Sequence, residues 1–171
     1  MDEEKSIVET VASATYDAAE KPFDFVEEGQ ETALICEPDP EVRSIIAGQI
    51  EENGYLVTQA GSAQEALKNM RFHTYDLLVV DEKFDTADPA ANEVLAYLAE
   101  LNMQIRRKMF VVLLGSRFRT GDNMAAFNKS VNLTLNLSNA RDSGKIIKSA
   151  VTENKAFYHV YMETLKATGR G

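Results

Sequence analysis

Two acids close two apolar runs in this chain. Leu77, Leu78, Val79 and Val80 lead straight into Asp81, and Ala33, Leu34, Ile35 and Cys36 lead into Glu37. An unbroken aliphatic run of that length reads as a central strand covered on both faces. Open α/β sheets hold their chemistry just past the carboxyl ends of such strands, and Asp81 stands in that place. A carboxylate there is a candidate nucleophile. The two histidines, His73 and His159, lie far apart with neither triad nor metal spacing between them, and read as packing or surface residues. The single cysteine, Cys36, lies inside its apolar run and reads as a buried, inert thiol of a reducing compartment.

The elements that must position these acids alternate between strand and helix. Asp39-Pro40-Glu41 opens a first helix: Asp39 suits an N-cap, Pro40 the first turn, and Glu41 the positive helix end. Val42, Ile45, Ile46 and Ile50 line it, and Asn53-Gly54 stops it. Residues 55–59 form a second strand. Ser62 and Glu65 form a capping box, with Ala66, Leu67 and Met70 facing inward. After the strand ending at Asp81, Pro89 enters a helix striped by Val94, Leu95, Leu98 and Leu101. Residues 109–114 are a fourth strand, and a short helix over 122–129 uses Met124 and Phe127 as its apolar face. Val131, Leu133, Leu135 and Leu137 alternate with polar residues, which predicts a half-exposed fifth strand at the sheet edge. A long helix starts at Asp142 or Ser143 and changes face near Asn154. Five such units predict a doubly wound parallel sheet with right-handed crossovers.

The chain has 171 residues, 44% of them apolar, which supports one domain with extensions and a real core. The net charge of −9 is concentrated at the start: residues 1–31 hold ten acids and two lysines. The other 140 residues are nearly neutral, so no broad basic surface invites nucleic acid. No apolar stretch approaches the ~20 residues of a membrane span. The acidic start is unlike a secretory or mitochondrial signal, and a cytoplasmic location is expected. The composition divides the chain into an acidic extension over 1–31, a domain over 32–154 and a helical extension over 155–171. A short amphipathic helix is expected over 3–19, from Ile7, Val8, Val11 and Tyr16.

The order and spacing of these elements, the run from Ile35 to Arg43, the run from Tyr75 to Asp81 and the triplet Glu93-Val94-Leu95 together resemble the receiver domain of bacterial two-component response regulators. The resemblance covers residues 32–154. It implies a flavodoxin-like five-stranded sheet of order 2-1-3-4-5 and a phosphoryl group accepted by Asp81 from a histidine kinase. It also implies Mg²⁺ held by Glu37, Asp81 and the backbone carbonyl of Lys83, because charge on the phosphoryl oxygens must be neutralised.

The chain departs from that pattern in three places. The family's acidic pair after the first strand is here Glu37 and Pro38, with Asp39 following as a helix cap. The family's hydroxyl after the fourth strand is matched by Gly115, with Ser116 beside it. Its lysine at the end of the fifth strand is absent, and Asn136 lies in that neighbourhood. Removing the cation leaves little to balance developing charge except a metal. Arg117 and Arg119 follow Gly115 over the same place, either as solvated loop residues or as a partial electrostatic replacement. Arg106, Arg107 and Lys108 are expected to cap the third helix.

Neighbouring chemistries are excluded by sequence. A flavodoxin needs a glycine- and hydroxyl-rich loop after the first strand, where this chain has Glu37-Pro38-Asp39-Pro40. A haloacid-dehalogenase-type phosphatase needs a second Asp two residues after its nucleophile, where this chain has Lys83. The leading expectation is a non-enzymatic, receiver-like signalling module that acts through protein–protein contact without depending on phosphorylation. The alternatives are a stand-alone receiver phosphorylated on Asp81 and a domain for assembly or dimerisation. The aromatic stripe of Phe157, Tyr158 and Tyr161 is too apolar for water and should pack on the acidic N-terminal segment or on a second subunit, a C2 homodimer.

Overall fold

The structure is a computed structural model and describes residues 26–170. The expected helix over 3–19 lies outside these residues. Five strands, β1 (Thr32–Cys36), β2 (Leu56–Gln59), β3 (Leu77–Asp81), β4 (Phe110–Gly115) and β5 (Leu133–Asn136), form one parallel sheet of order β2-β1-β3-β4-β5. Five helices connect or follow them: α1 (Pro40–Glu52), α2 (Ala63–Phe72), α3 (Glu93–Glu100), α4 (Asn123–Asn128) and α5 (Ser143–Ala167). A 3₁₀ turn at Pro89–Ala91 precedes α3, and one helical turn at Met103–Arg106 follows it.

Successive residues of the central strands point to opposite faces, and each face has its own core. Leu34, Leu78, Val80 and Val111 meet Leu67 and Met70 of α2 and Val94 and Leu98 of α3. On the other face Ile35, Val79, Val112 and Leu114 meet Ile46 and Ile50 of α1 and Ile147 and Val151 of α5. This double coverage is why β1, β3 and β4 carry no polar alternation; all three are buried along their whole length.

Local signals place the helix starts. Asp39 accepts hydrogen bonds from the N–H groups of Glu41 and Val42, and Ser62 from that of Glu65. The return contact of the capping box lands one residue early, on Gly61 N–H, which donates to Glu65 Oε2 at 2.8 Å. Gly54 takes φ +94°, a conformation open to glycine, and ends α1.

Three expectations change. β5 is an edge strand, but Leu133, Thr134 and Leu135 are all buried. The loop ahead of α4 covers it: Thr134 Oγ1 donates to Arg119 O and accepts from Asp122 N–H. On α4 the inward residue is Ala126, while Met124 and Phe127 are exposed. The Arg106 guanidinium does not cap α3; it donates to the carbonyls of Met109 and Ser130 and to Asn132 Oδ1, fastening the starts of β4 and β5. α5 runs unbroken through residue 154, and beyond Val151 none of its residues is buried. At 1.5 Å per residue that leaves an overhang of about 24 Å. No described helix is long and apolar enough to cross a membrane.

Candidate functional site

Strand register brings the singled-out residues to one edge of the sheet. Cys36 is level with Val80, Asp81 with Leu114, and Gly115 with Asn136. Glu37, Asp81, Gly115, Ser116 and Asn136 therefore share the carboxyl-terminal rim, as does the head of α1 with Asp39.

Asp81 and Glu37 are both buried, at 5% and 2% exposure. They lie close enough for the charge of Asp81 to act on Glu37. Burial pushes the Glu37 carboxyl up to about 7; the Asp39 N–H opposes this and the Asp81 charge adds to it. Asp81 is also raised by burial, opposed by the Lys83 N–H that donates to Asp81 Oδ1 at 2.7 Å. Both carboxyl groups are thus raised, and burial is the main cause for each. Glu37 Oε1 accepts from Asp39 N–H at 2.9 Å, while Oε2 is buried without a donor among the described residues.

A divalent magnesium ion wants a near-octahedral shell of deprotonated hard oxygens. Pro38 offers no side-chain oxygen, and Asp39 Oδ1 is used to cap α1. The Lys83 carbonyl accepts from Thr86 N–H at 3.3 Å inside its turn. Among the described residues no three His, Cys, Asp or Glu side chains gather as a metal site. Glu37, Asp81 and the Lys83 carbonyl are the oxygens that would hold such an ion, and Glu37 Oε2 has no partner among the described residues.

The region past β4 is filled by Arg117, weighed above as a solvated or compensating cation, and by Glu82 and Phe118, which sequence reasoning did not single out. Glu82, 3% exposed, continues the ladder by donating its N–H to Leu114 O. Its Oε2 accepts from Arg117 Nε at 2.6 Å, and the Arg117 guanidinium lies 5.2 Å from the Phe118 ring centroid. A Cβ at Gly115 would stand 2.7 Å from Phe118 Cδ2 and 2.9 Å from Glu82 Oε1. A side chain at the hydroxyl position would therefore have to displace the Phe118 ring and the Glu82 carboxylate. The available signal was an acid directly after the β3 run and an arginine two residues past β4, on neighbouring strands.

Asn136, in place of a lysine, is fully engaged. Its Nδ2 donates to Ser116 O at 3.0 Å and Phe118 O at 2.6 Å, and its Oδ1 accepts from Ser138 N–H and Oγ. Ser116 is exposed and enters this network through its carbonyl. Behind Asp81, Asn92 Nδ2 donates to the carbonyls of Asp81 and Glu82, while its Oδ1 caps α3. Hydrogen bonds from Asn92, Asn136 and the Lys83 N–H thus brace the rim around the buried acid pair.

No protein-family model and no curated protein matches the sequence. Solved structures do match. A response regulator receiver domain protein (CheY-like) from Methanospirillum hungatei JF-1 is 19% identical with TM-score 0.58, covering 75% of this chain and 98% of that one. The receiver domain of Francisella response regulator 1452 is 20% identical with TM-score 0.53, over 71% and 99% of the two chains. HP1043, an orphan response regulator of H. pylori, is 13% identical with TM-score 0.54, over 71% and 97%. These similarities, with the strand order, establish that residues of this chain from β1 into α5 adopt the receiver (CheY-like) fold.

Proposed function

We propose that this chain is a receiver-like signalling module of the bacterial cytoplasm that works by protein–protein contact and does not depend on phosphoryl transfer to Asp81. The observation that carries the reading is the crowding at Gly115: the Glu82 carboxylate and the Phe118 ring occupy the space that a hydroxyl-bearing side chain would need. A phosphoryl group on Asp81 would stand beside the buried Glu37 carboxyl, with Asn136 spent on the loop instead of a lysine beside it. On this reading the chain turns over no substrate, needs no Mg²⁺, and binds protein partners, among them a second copy of itself.

A second reading, a receiver phosphorylated by a histidine kinase, is favoured by the place of Asp81 at the rim beside Glu37. Intact-mass measurement after incubation with Mg²⁺ and acetyl phosphate separates the two. The expected result is an unchanged mass. A phosphoryl adduct that disappears in Asp81→Asn would overturn the leading reading in favour of the second.

A further inference from the structure

At the end of the sheet opposite the acid pair, the α5 overhang roofs a groove of about 1140 Å³. Arg107 holds the roof down: its Nη1 donates to Tyr161 Oη at 2.5 Å and its Nε to Met103 O at 2.8 Å. Tyr158, Tyr161, Met162, Met103 and Phe127 give the groove an apolar lining. Cations surround them, with Arg106, Arg107, Lys108, Lys155 and Lys166 set against Glu31, Asp76 and Glu163. An apolar trough rimmed by positive charge suits an acidic, amphipathic chain segment.

We infer that the occupant is the N-terminal segment of the same chain, residues 1–25, docked under the α5 overhang. Three observations converge on it. The described chain enters at the groove, since Glu31 lines it and pairs with Lys155 at 2.5 Å. Residues 1–25 carry seven acids against two lysines, the complement of the rim. They also carry Ile7, Val8, Val11, Phe23 and Phe25, apolar groups of the kind the trough would cover. Attachment through residue 31 makes docking intramolecular, with an effective concentration on the order of millimolar, so modest contacts suffice. A protein partner that needs the α5 overhang must then displace the segment, whatever happens at Asp81.

The test is paramagnetic broadening in the full-length chain. A spin label is attached through His159→Cys, a groove-lining and exposed position, while Cys36 is fully buried and stays unlabelled. Amide signals of residues 1–25 are expected to broaden in the labelled, isotope-enriched chain. They should stay sharp when labelled unenriched chain is mixed with unlabelled enriched chain. Reversing three exposed lysines, Lys108→Glu, Lys155→Glu and Lys166→Glu together, should reduce the broadening about five-fold. Broadening in the mixture would assign the groove to a second copy and overturn the inference. Sharp signals in every sample, or broadening indifferent to the charge reversal, would overturn it as well.

Discussion

Glu82 and Arg117 form a charge-assisted hydrogen bond of 2.6 Å across the ends of neighbouring strands, with Glu82 3% exposed and the arginine side chain 55% exposed. Their pairing ties the loop after β4 to the residue directly after Asp81. Here the tie, the Phe118 ring and the Asn136 hydrogen bonds all favour one arrangement.

Removing the cation leaves the Glu82 carboxylate buried without its charge partner. Arg117→Ala should therefore lower stability by about 1–2 kcal/mol, less than a fully buried pair would lose because the guanidinium is partly solvated. Glu82→Gln with Arg117→Met should return to within about 0.5 kcal/mol of the parent, since neither side then strands a charge. Urea denaturation reads both. An Arg117→Ala midpoint equal to the parent's would reduce the pair to a surface contact.

At Gly115 the expected penalty is steric. Gly115→Ser inserts a Cβ against Phe118 and Glu82, at a cost of about 1–2 kcal/mol as the ring is displaced. Phe118→Ala in the same chain should recover part of that loss, because it removes the nearer obstacle. Thermal melts of the two single variants and the double form the cycle. Additive losses would show that the ring and residue 115 do not compete for space.

The sheet was legible because β1, β3 and β4 are covered on both faces, and that burial writes continuous apolar runs into Leu34, Val79 and Val112 alike. Helix starts were legible because Asp39 and Ser62 act through bonds to residues two or three positions away. What the sequence hid depends on contacts between distant positions. Thr134 reads as a polar, outward residue until the Arg119–Asp122 loop is laid over it. Phe127 reads as core, yet the short α4 turns Ala126 inward and leaves it 77% exposed. Glu82 looks like a solvated neighbour of Asp81 until β4 brings Arg117 alongside. The departures at Pro38, Gly115 and Asn136 were visible, but the physical reason for the glycine was not.

Asn136 makes two donations that no carboxylate can make. Asn136→Asp keeps an acceptor for Ser138 but loses the bonds to Ser116 O and Phe118 O, and should cost about 1–3 kcal/mol. Hydrogen exchange should quicken selectively over residues 116–120, the segment those bonds hold. Unchanged exchange there, with stability intact, would show that the loop is fixed by other contacts.

The acid pair has a pH signature whose direction follows from its cause. The Glu37 carboxyl is raised from 4.5 to about 7, so the folded chain binds its proton more tightly than the unfolded chain does. That stabilisation is fully present below about pH 4.5 and is lost as pH rises through about 7. Asp81 is raised as well and acts with the same sign. Between pH 5 and pH 8 the parent should lose about 2 kcal/mol relative to Glu37→Gln, which keeps a neutral donor at every pH. Urea midpoints of both proteins at the two pH values give the comparison, and the difference cancels other titrating groups. A Glu37→Gln stability that tracks the parent across this window would place the proton elsewhere and leave two charged carboxylates side by side. Magnesium addition at pH 8 supplies the second arm: on the proposed, magnesium-independent reading the parent's midpoint should not move. A magnesium-dependent rise that Glu37→Gln abolishes would mean the pair gives up its proton to a metal, and that the rim opens more easily than its hydrogen bonds imply.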